Sequence, residues 1–305
     1  MTSTALPTDV GVSRAREDSR SFFERLRDRR AWIVPGRNDP RWLFVVMHSS
    51  YVLLGHILLS FSRSPGQIIA ALVSCMLLEV VYTYATTRMF IVPMSGIISG
   101  LGLGLLFTAP GNLWLMLLAS WITITGKFLV TWRGHHIYNP TNLALVILIF
   151  ATGGNVAIAP AYQWGGSWQI VVFVFILGSV IAWRAKKLPL VLAFGVTWVL
   201  GALLRSQVSH MPAEITVYAQ LSGGAFWLFL FFMITDPKTS PPSTKGMIAF
   251  GAAVGLIDIW LQLQTAVFSV FYALFIVCTA RALWFIFEDA RKAMRERAAA
   301  ATVGP

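Results

Sequence analysis

Three stretches of the sequence hold residues whose types and spacing could do chemistry. In the first, Pro93-Met-Ser-Gly-Ile-Ile-Ser-Gly-Leu-Gly-Leu-Gly104, the glycines Gly96, Gly100 and Gly104 recur every four residues. On a helix this leaves one smooth face, with Ser95 and Ser99 beside it, that a neighbouring backbone or a flat ligand can approach closely. It reads first as a helix–helix contact and second as a ligand-facing wall. In the second, Gly126-Lys127 precedes Gly134-His135-His136-Ile-Tyr-Asn139-Pro140-Thr141-Asn142. Asn followed by Pro is a helix start, the Asn side chain capping the first amides and Pro standing where its missing N–H costs nothing. A helix amino end at membrane depth also attracts anions, so capping alone and capping with ligand contact both stand. In the third, Thr235-Asp236-Pro237-Lys238-Thr239-Ser240 repeats the cap before a proline, now with a carboxylate near Lys238 and a run of hydroxyls. It is either a rigid turn or a functional loop.

Two carboxylates fall inside apolar runs, Glu79 and Asp258. Burying a carboxylate in lipid is costly, so each should face a polar interior, as an ion or proton relay or as a hydrogen-bond anchor. The five histidines, His48, His56, His135, His136 and His210, do not fall on two facing helices at matching depth, so haem is not expected. Cys75 and Cys278 lie apart in apolar runs, which excludes a disulfide framework, a thiolate metal site and a C-x-x-C redox pair. No nucleotide fingerprint, metal-ligand set or catalytic nucleophile–base arrangement is present.

The elements that must position these residues are membrane helices. Of 305 residues, 56% are hydrophobic and 12% charged, whereas soluble domains carry about 25% charged residues. Apolar segments fall at 43–61, 67–87, 92–109, 113–131, 137–151, 168–183, 188–205, 221–235, 246–262 and 264–286, and about 20 residues cross a bilayer as a helix. With the amino terminus inside, 22 of the 24 Lys and Arg fall on the cytoplasmic side, leaving Arg63 and Arg205 outside. The net charge of +11 is then a topology signal, and no nucleic-acid partner is expected. Residues 1–42, with nine arginines and six acids, read as a basic cytoplasmic tail, 43–287 as the transmembrane domain and 288–305 as a second cytoplasmic tail. Within the first tail, 21–30 reads as a surface helix or a solvated arm.

The segments at 137–151 and 221–235 are short and bordered by Gly, Pro or small polar residues, as broken or re-entrant helices are. Five spans on each side of 152–167 would make halves of about 43–151 and 168–287 inverted in the membrane, although no residue-level repeat relates them. The expected fold is an all-α polytopic membrane protein of about ten transmembrane helices.

In the order and spacing of these motifs the chain resembles the RnfD/NqrB family, the membrane subunits of Rnf-type electron-transport complexes and of the sodium-pumping NADH:quinone oxidoreductase. The resemblance runs through Ser95-Gly96, Gly100 and Gly104, then Gly126-Lys127, then His136-x-x-Asn139-Pro140, then Phe232-Met233-x-Thr235-Asp236-Pro237, over about residues 40–285. It implies a ten-helix fold of two inverted halves, shared with urea-channel-like transporters, and a flavin-bearing subunit that couples electron transfer to sodium or proton movement. The family's covalent flavin is carried by a threonine in a Ser/Asp-Gly-x-Thr type motif in the loop after the Asn-Pro helix. Here the loop at 152–167 reads TGGNVAIAPAYQWGGS, so no covalent FMN motif is present. The compact chain is closer to the stand-alone branch that includes membrane proteins of enediyne clusters.

The expectation is therefore a bacterial-type inner-membrane protein with both termini cytoplasmic, working with other membrane or redox subunits. FMN or riboflavin would bind noncovalently among Ser95, Gly96, Gly100, Gly104, Lys127, Asn139, Thr141, Thr235 and Asp236, with Glu79 and Asp258 as the ion relay. The alternatives are a small-solute transporter or channel of the same fold, and a membrane scaffold or assembly protein.

Overall fold

The computed structural model describes residue 26 and residues 32–37, 39, 41–58, 61, 63–153, 156–158 and 168–302. The surface helix expected at 21–30, Leu26 apart, and most of the loop at 152–167 lie outside these residues.

The helices of ten residues or more are α1 (Arg41–Leu58), α2 (Pro65–Thr87), α3 (Met94–Leu106), α4 (Leu113–Leu129), α5 (Pro140–Thr152), α6 (Trp168–Arg184), α7 (Leu188–Ser209), α8 (Gly224–Met233), α9 (Thr244–Leu263) and α10 (Ser269–Thr302). Two-residue strands join them: β1 (Trp32–Ile33) pairs in parallel with β2 (Phe90–Ile91), β3 (Phe107–Thr108) is antiparallel to β6 (Ala157–Ile158), and β4 (Thr131–Trp132) is antiparallel to β5 (His135–His136). Five helices, α1, α2, α7, α9 and α10, are long and apolar enough to cross a membrane, and the other five are apolar but shorter. The chain is an all-α, multi-pass membrane protein. Val46, Leu53, Leu77, Val81, Leu200, Leu204 and Leu256 lie exposed on these long helices, as residues meeting lipid must.

Local chemistry sets the helix ends. Pro stands in the first turn of α2, α5 and α7. The side chains of Asn112, Asn139 and Ser243 accept from the amides of Leu115, Asn142 and Gly246 at 3.2, 3.1 and 3.2 Å, capping α4, α5 and α9. Gly153, at φ +57°, ends α5 in the left-handed region that suits glycine.

Glycine also decides which helices touch. A Cβ on Gly100 would stand 2.6 Å from Leu72 Cα and 2.9 Å from the Ala71 carbonyl, and one on Gly96 2.8 Å from the Cys75 carbonyl. One on Gly104 would meet Ile68 at 3.0 Å. The four-residue glycine face is therefore packed on the backbone of α2, which is the helix–helix contact of the two readings above. In the second half of the chain, Gly251 of α9 does the same against α7, 2.6 Å from the Leu190 carbonyl.

Two segments differ from the hydropathy reading. The helix expected at 92–109 has only 13 residues, because Pro93 fixes its start and Phe107 leaves it to pair with Ile158. The last helix starts at Ser269 and continues without a break to Thr302, well past the apolar segment read at 264–286.

Because the atoms facing Gly100 are main chain, Gly100→Val is expected to cost about 1–3 kcal/mol. Gly195→Ala, where nothing lies within 4 Å, is expected to be neutral or stabilising by up to about 1 kcal/mol. Thermal unfolding of the detergent-solubilised variants compares the two, and equal melting would contradict the close α2–α3 contact.

Candidate functional site

The turn between α8 and α9 is the polar centre of the molecule. Asp236 accepts from the His136 ring through Nε2 at 3.0 Å and from the Asn139 side-chain amide at 3.3 Å, both on Oδ2, while Oδ1 accepts from the Lys238 amide at 3.0 Å. Its carbonyl takes the Ser240 amide at 2.9 Å and the Ser240 hydroxyl at 2.8 Å. Two cations reach in from other elements. Lys187, in the turn between α6 and α7, donates to Ser240 Oγ at 2.6 Å, and Arg281 of α10 donates to the Thr239 carbonyl. Burial by itself would raise the Asp236 carboxyl; the His136 ring, its hydrogen bond and the Lys238 amide and charge outweigh it and hold the group below the usual carboxylate range. Burial also pulls the Lys187 and Lys238 ammonium groups below their ordinary values, Lys238 further under the field of Lys127.

A second cluster joins α2, α3 and α4. Lys127 donates to Glu79 and, at 2.7 Å, to Ser95 Oγ, and the other Glu79 oxygen takes the Gly96 amide. The Lys127 and Glu79 side chains are 13% and 10% exposed, so this is a buried, hydrogen-bonded ion pair. Lys238 lies within the electrostatic reach of Lys127, Glu79 and Arg41 as well as of Asp236, so the two clusters are neighbours.

Asp258, fully buried in α9, accepts from Ser269 Oγ and from the Gln262 side-chain amide, each at 2.6 Å. Ser269, Gln262 and Arg205 also line a cavity of about 590 Å³ between the end of α7 and the turn from α9 to α10. Asp258 and Glu79 thus belong to separate clusters, each with its own partners.

Of the residues expected around a flavin, Ser95, Gly96 and Lys127 meet Glu79, while Asn139 meets Asp236. Thr141 lies against α3, its hydroxyl 3.8 Å from where a Cβ on Gly102 would stand. Thr235 donates back to the Phe231 carbonyl at 2.6 Å. Ser95, Gly96 and Lys127 are thus bonded to Glu79, Asn139 to Asp236 and Thr235 to its own helix, and the glycine face packs on α2. His136, Lys187, Ser240 and Arg281 were not among the expected site residues. His136 could have been found from its spacing to Asn139; Lys187 and Arg281, 53 and 42 residues from their partners, carried no local signal.

The polar turn sits at the seam of the chain. Asn142 donates to the Phe271 carbonyl at 3.1 Å, Tyr138 stacks on Phe275 with ring centroids 4.6 Å apart, and its hydroxyl meets Thr279 at 3.0 Å, fixing α5 on α10. A multi-pass helical bundle whose interior polar groups tie distant parts of its sequence together has the architecture of an integral membrane protein. Residues 157–286 match the family model described as NQR2, RnfD, RnfE family, a stretch that includes the Thr235-Asp236-Pro237 turn. Its relatives include the D component of the ion-translocating oxidoreductase complex from Escherichia coli strain K12 and that from E. coli O9:H4 strain HS, each 35% identical over 100 residues. The corresponding component from Shigella flexneri serotype 5b is also 35% identical over 100 residues. The matched stretch covers 32% of this chain and 28% of the length of these relatives.

Two outcomes test the site. Lys127→Met alone should cost about 3–5 kcal/mol by leaving Glu79 buried and uncompensated, and Glu79→Gln added to it should recover most of that loss. A double-variant coupling energy near zero in detergent unfolding would refute the buried pair. Because the folded carboxyl of Asp236 is depressed, its contribution is present above the unfolded value of about 3.9 and is lost as pH falls through the folded one. Unfolding midpoints measured across that acid range should fall more steeply for the native chain than for Asp236→Asn; parallel curves would remove the Asp236 account.

Proposed function

We propose that this chain is a membrane subunit of an ion-translocating electron-transport complex, holding both termini at the cytoplasmic face. The observation that carries the reading is the family match at 157–286, which contains the Thr235-Asp236-Pro237 turn and the elements that deliver Lys187 and Arg281 to it. Its relatives are named as components of an ion-translocating oxidoreductase complex.

The packing order supports ten membrane helices in two five-helix halves. α1 packs on α3 as α6 packs on α8, α2 on α4 as α7 on α9, and α4 on α5 as α9 on α10. In each half the third helix is a short one, α3 or α8, a length tolerated where neighbours cover the backbone. An odd number of spans per half inverts the second relative to the first, as in transporters whose short helices meet at the midplane.

In this reading the chain's own residues hold charge in place without passing electrons. Glu79 is committed to Lys127, which makes it a structural anchor, whereas Asp258 borders a cavity through Ser269 and Gln262 and is the carboxylate placed to exchange an ion or proton. No step is assigned to a flavin: Ser95, Gly96 and Lys127 are bonded to Glu79, and Asn139 to Asp236.

The test is purification of the tagged chain from its native membrane in mild detergent, followed by reduced-minus-oxidised visible spectra and identification of the co-purifying proteins. The expected result is a complex whose redox absorbance leaves with the partner proteins when the chain is stripped from them, the isolated chain being colourless. A chain that runs alone and moves a small solute after reconstitution would overturn the assignment in favour of a transporter. Flavin released by acid from the isolated chain would overturn the reading that its residues hold none.

A further inference from the structure

At the end of the bundle opposite the Asp236 turn, a cavity of about 630 Å³ opens between the turn leading into α2 and the turn from β3 into α4, lined in part by Arg63, Ser64, Gln67, Thr108 and Leu113. Three other buried cations have partners: Lys127 has Glu79 and Ser95, Lys187 has Ser240, and Arg281 has the Thr239 carbonyl. Arg63 differs. Its Nε and one terminal nitrogen are buried and have no hydrogen-bond partner among the described residues, and no carboxylate among those residues forms an ion pair with it. Thr108 Oγ1, in the wall of the same cavity, is likewise buried and unpartnered among the described residues.

The scaffold around these groups is fixed. His56 bonds the Arg63 carbonyl through Nε2 at 3.1 Å, the Phe61 amide donates to the Gly55 carbonyl at 3.0 Å, and the Gln67 side chain donates to the Ala109 carbonyl at 2.7 Å. The main chain on both sides of the cavity is therefore held by its own bonds, and the guanidinium and the hydroxyl are what remains. Ser64 adds a hydroxyl that makes no capping bond to α2. A buried donor left without an acceptor is costly, and more so when it is charged. The guanidinium fork matches two oxygens of a carboxylate or phosphate, which is the strong, charge-assisted form of this contact. Burial pulls the Arg63 guanidinium down to about 10, which leaves it charged at neutral pH.

We propose that this cavity binds a small oxyanion, its carboxylate or phosphate oxygens held by the Arg63 guanidinium and the Thr108 hydroxyl. The inference stands apart from the reading of the chain as an electron-transport subunit, since it uses neither the Asp236 turn nor the family match.

The experiment is thermal unfolding of the detergent-purified full chain, titrated with inorganic phosphate or acetate against chloride at matched ionic strength. The expected result is a saturable rise in melting temperature with at least one oxyanion, weakened tenfold or more in apparent affinity by Arg63→Gln and partly restored by Arg63→Lys. Thr108→Val, which keeps the charge, should weaken binding by a smaller factor and serves as the deciding variant if Arg63→Gln does not fold. A response to oxyanions no different from that to chloride, or full affinity in the folded Arg63→Gln or Thr108→Val protein, would overturn the proposal. A short-chain phosphatidic acid, added below its micelle concentration, separates two sources of the same chemistry. Tighter binding than inorganic phosphate assigns a lipid headgroup, and weaker binding assigns a soluble anion.

Discussion

A carboxylate set among apolar helices must find donors within the protein, and Asp236 finds them on elements from distant parts of the chain. His136 and Asn139 come from the stretch that opens α5, Lys238 from the turn itself, and through Ser240 and Thr239 the same turn takes Lys187 and Arg281. The requirement to satisfy one buried charge thus fixes the start of α5, the end of α8, the approach to α7 and the flank of α10 together. Asn139 serves two of these ends at once. Its carbonyl oxygen caps α5 while its amide nitrogen reaches Asp236, so one side chain both begins a helix and locates it. Loss of either contact would leave the other group misplaced as well as unpaired.

Much of this organisation was legible in the sequence because the signals concerned are local. Runs of apolar residues mark helices whatever they pack against, and Asn139-Pro140 defines a helix start from two adjacent residues. The glycine period at 96, 100 and 104 likewise announced a smooth face, but its occupant is set by which helix lies opposite, and that is a tertiary fact. In the structure α2 lies there, its main chain within 3 Å of where a Cβ on Gly96 or Gly100 would stand. The pairing of Glu79 with Lys127 spans 48 residues and joins two separate helices, so spacing alone gave no reason to prefer it over an ion relay. The shortening of α3 was hidden for a related reason: Phe107 and Thr108 continue the apolar segment read at 92–109, and their pairing with residues 157–158 is a tertiary contact.

The two ends of the bundle handle charge in opposite ways, and the contrast follows from the supply of acceptors. Around the Asp236 turn, hydroxyls and main-chain carbonyls lie beside Lys187 and Arg281, so both are hydrogen-bonded within the chain. At the other end the main-chain carbonyls beside Arg63 and Thr108 are already engaged, that of Arg63 by His56 and that of Ala109 by Gln67. A guanidinium in such surroundings keeps its charge and its unpaired N–H groups, since burial shifts it only to about 10. The field it projects into the cavity is therefore positive throughout the neutral pH range, and what would relieve it is an acceptor bearing negative charge. Arg205 shows the intermediate case: one of its nitrogens donates to the Thr216 carbonyl at 3.2 Å while Nε has no partner among the described residues, and it too lines a cavity. Arg63 and Arg205 are the two cations that the charge count placed on the outer side. Among the described residues, these two arginines are the ones with a buried guanidinium nitrogen that has no hydrogen-bond partner.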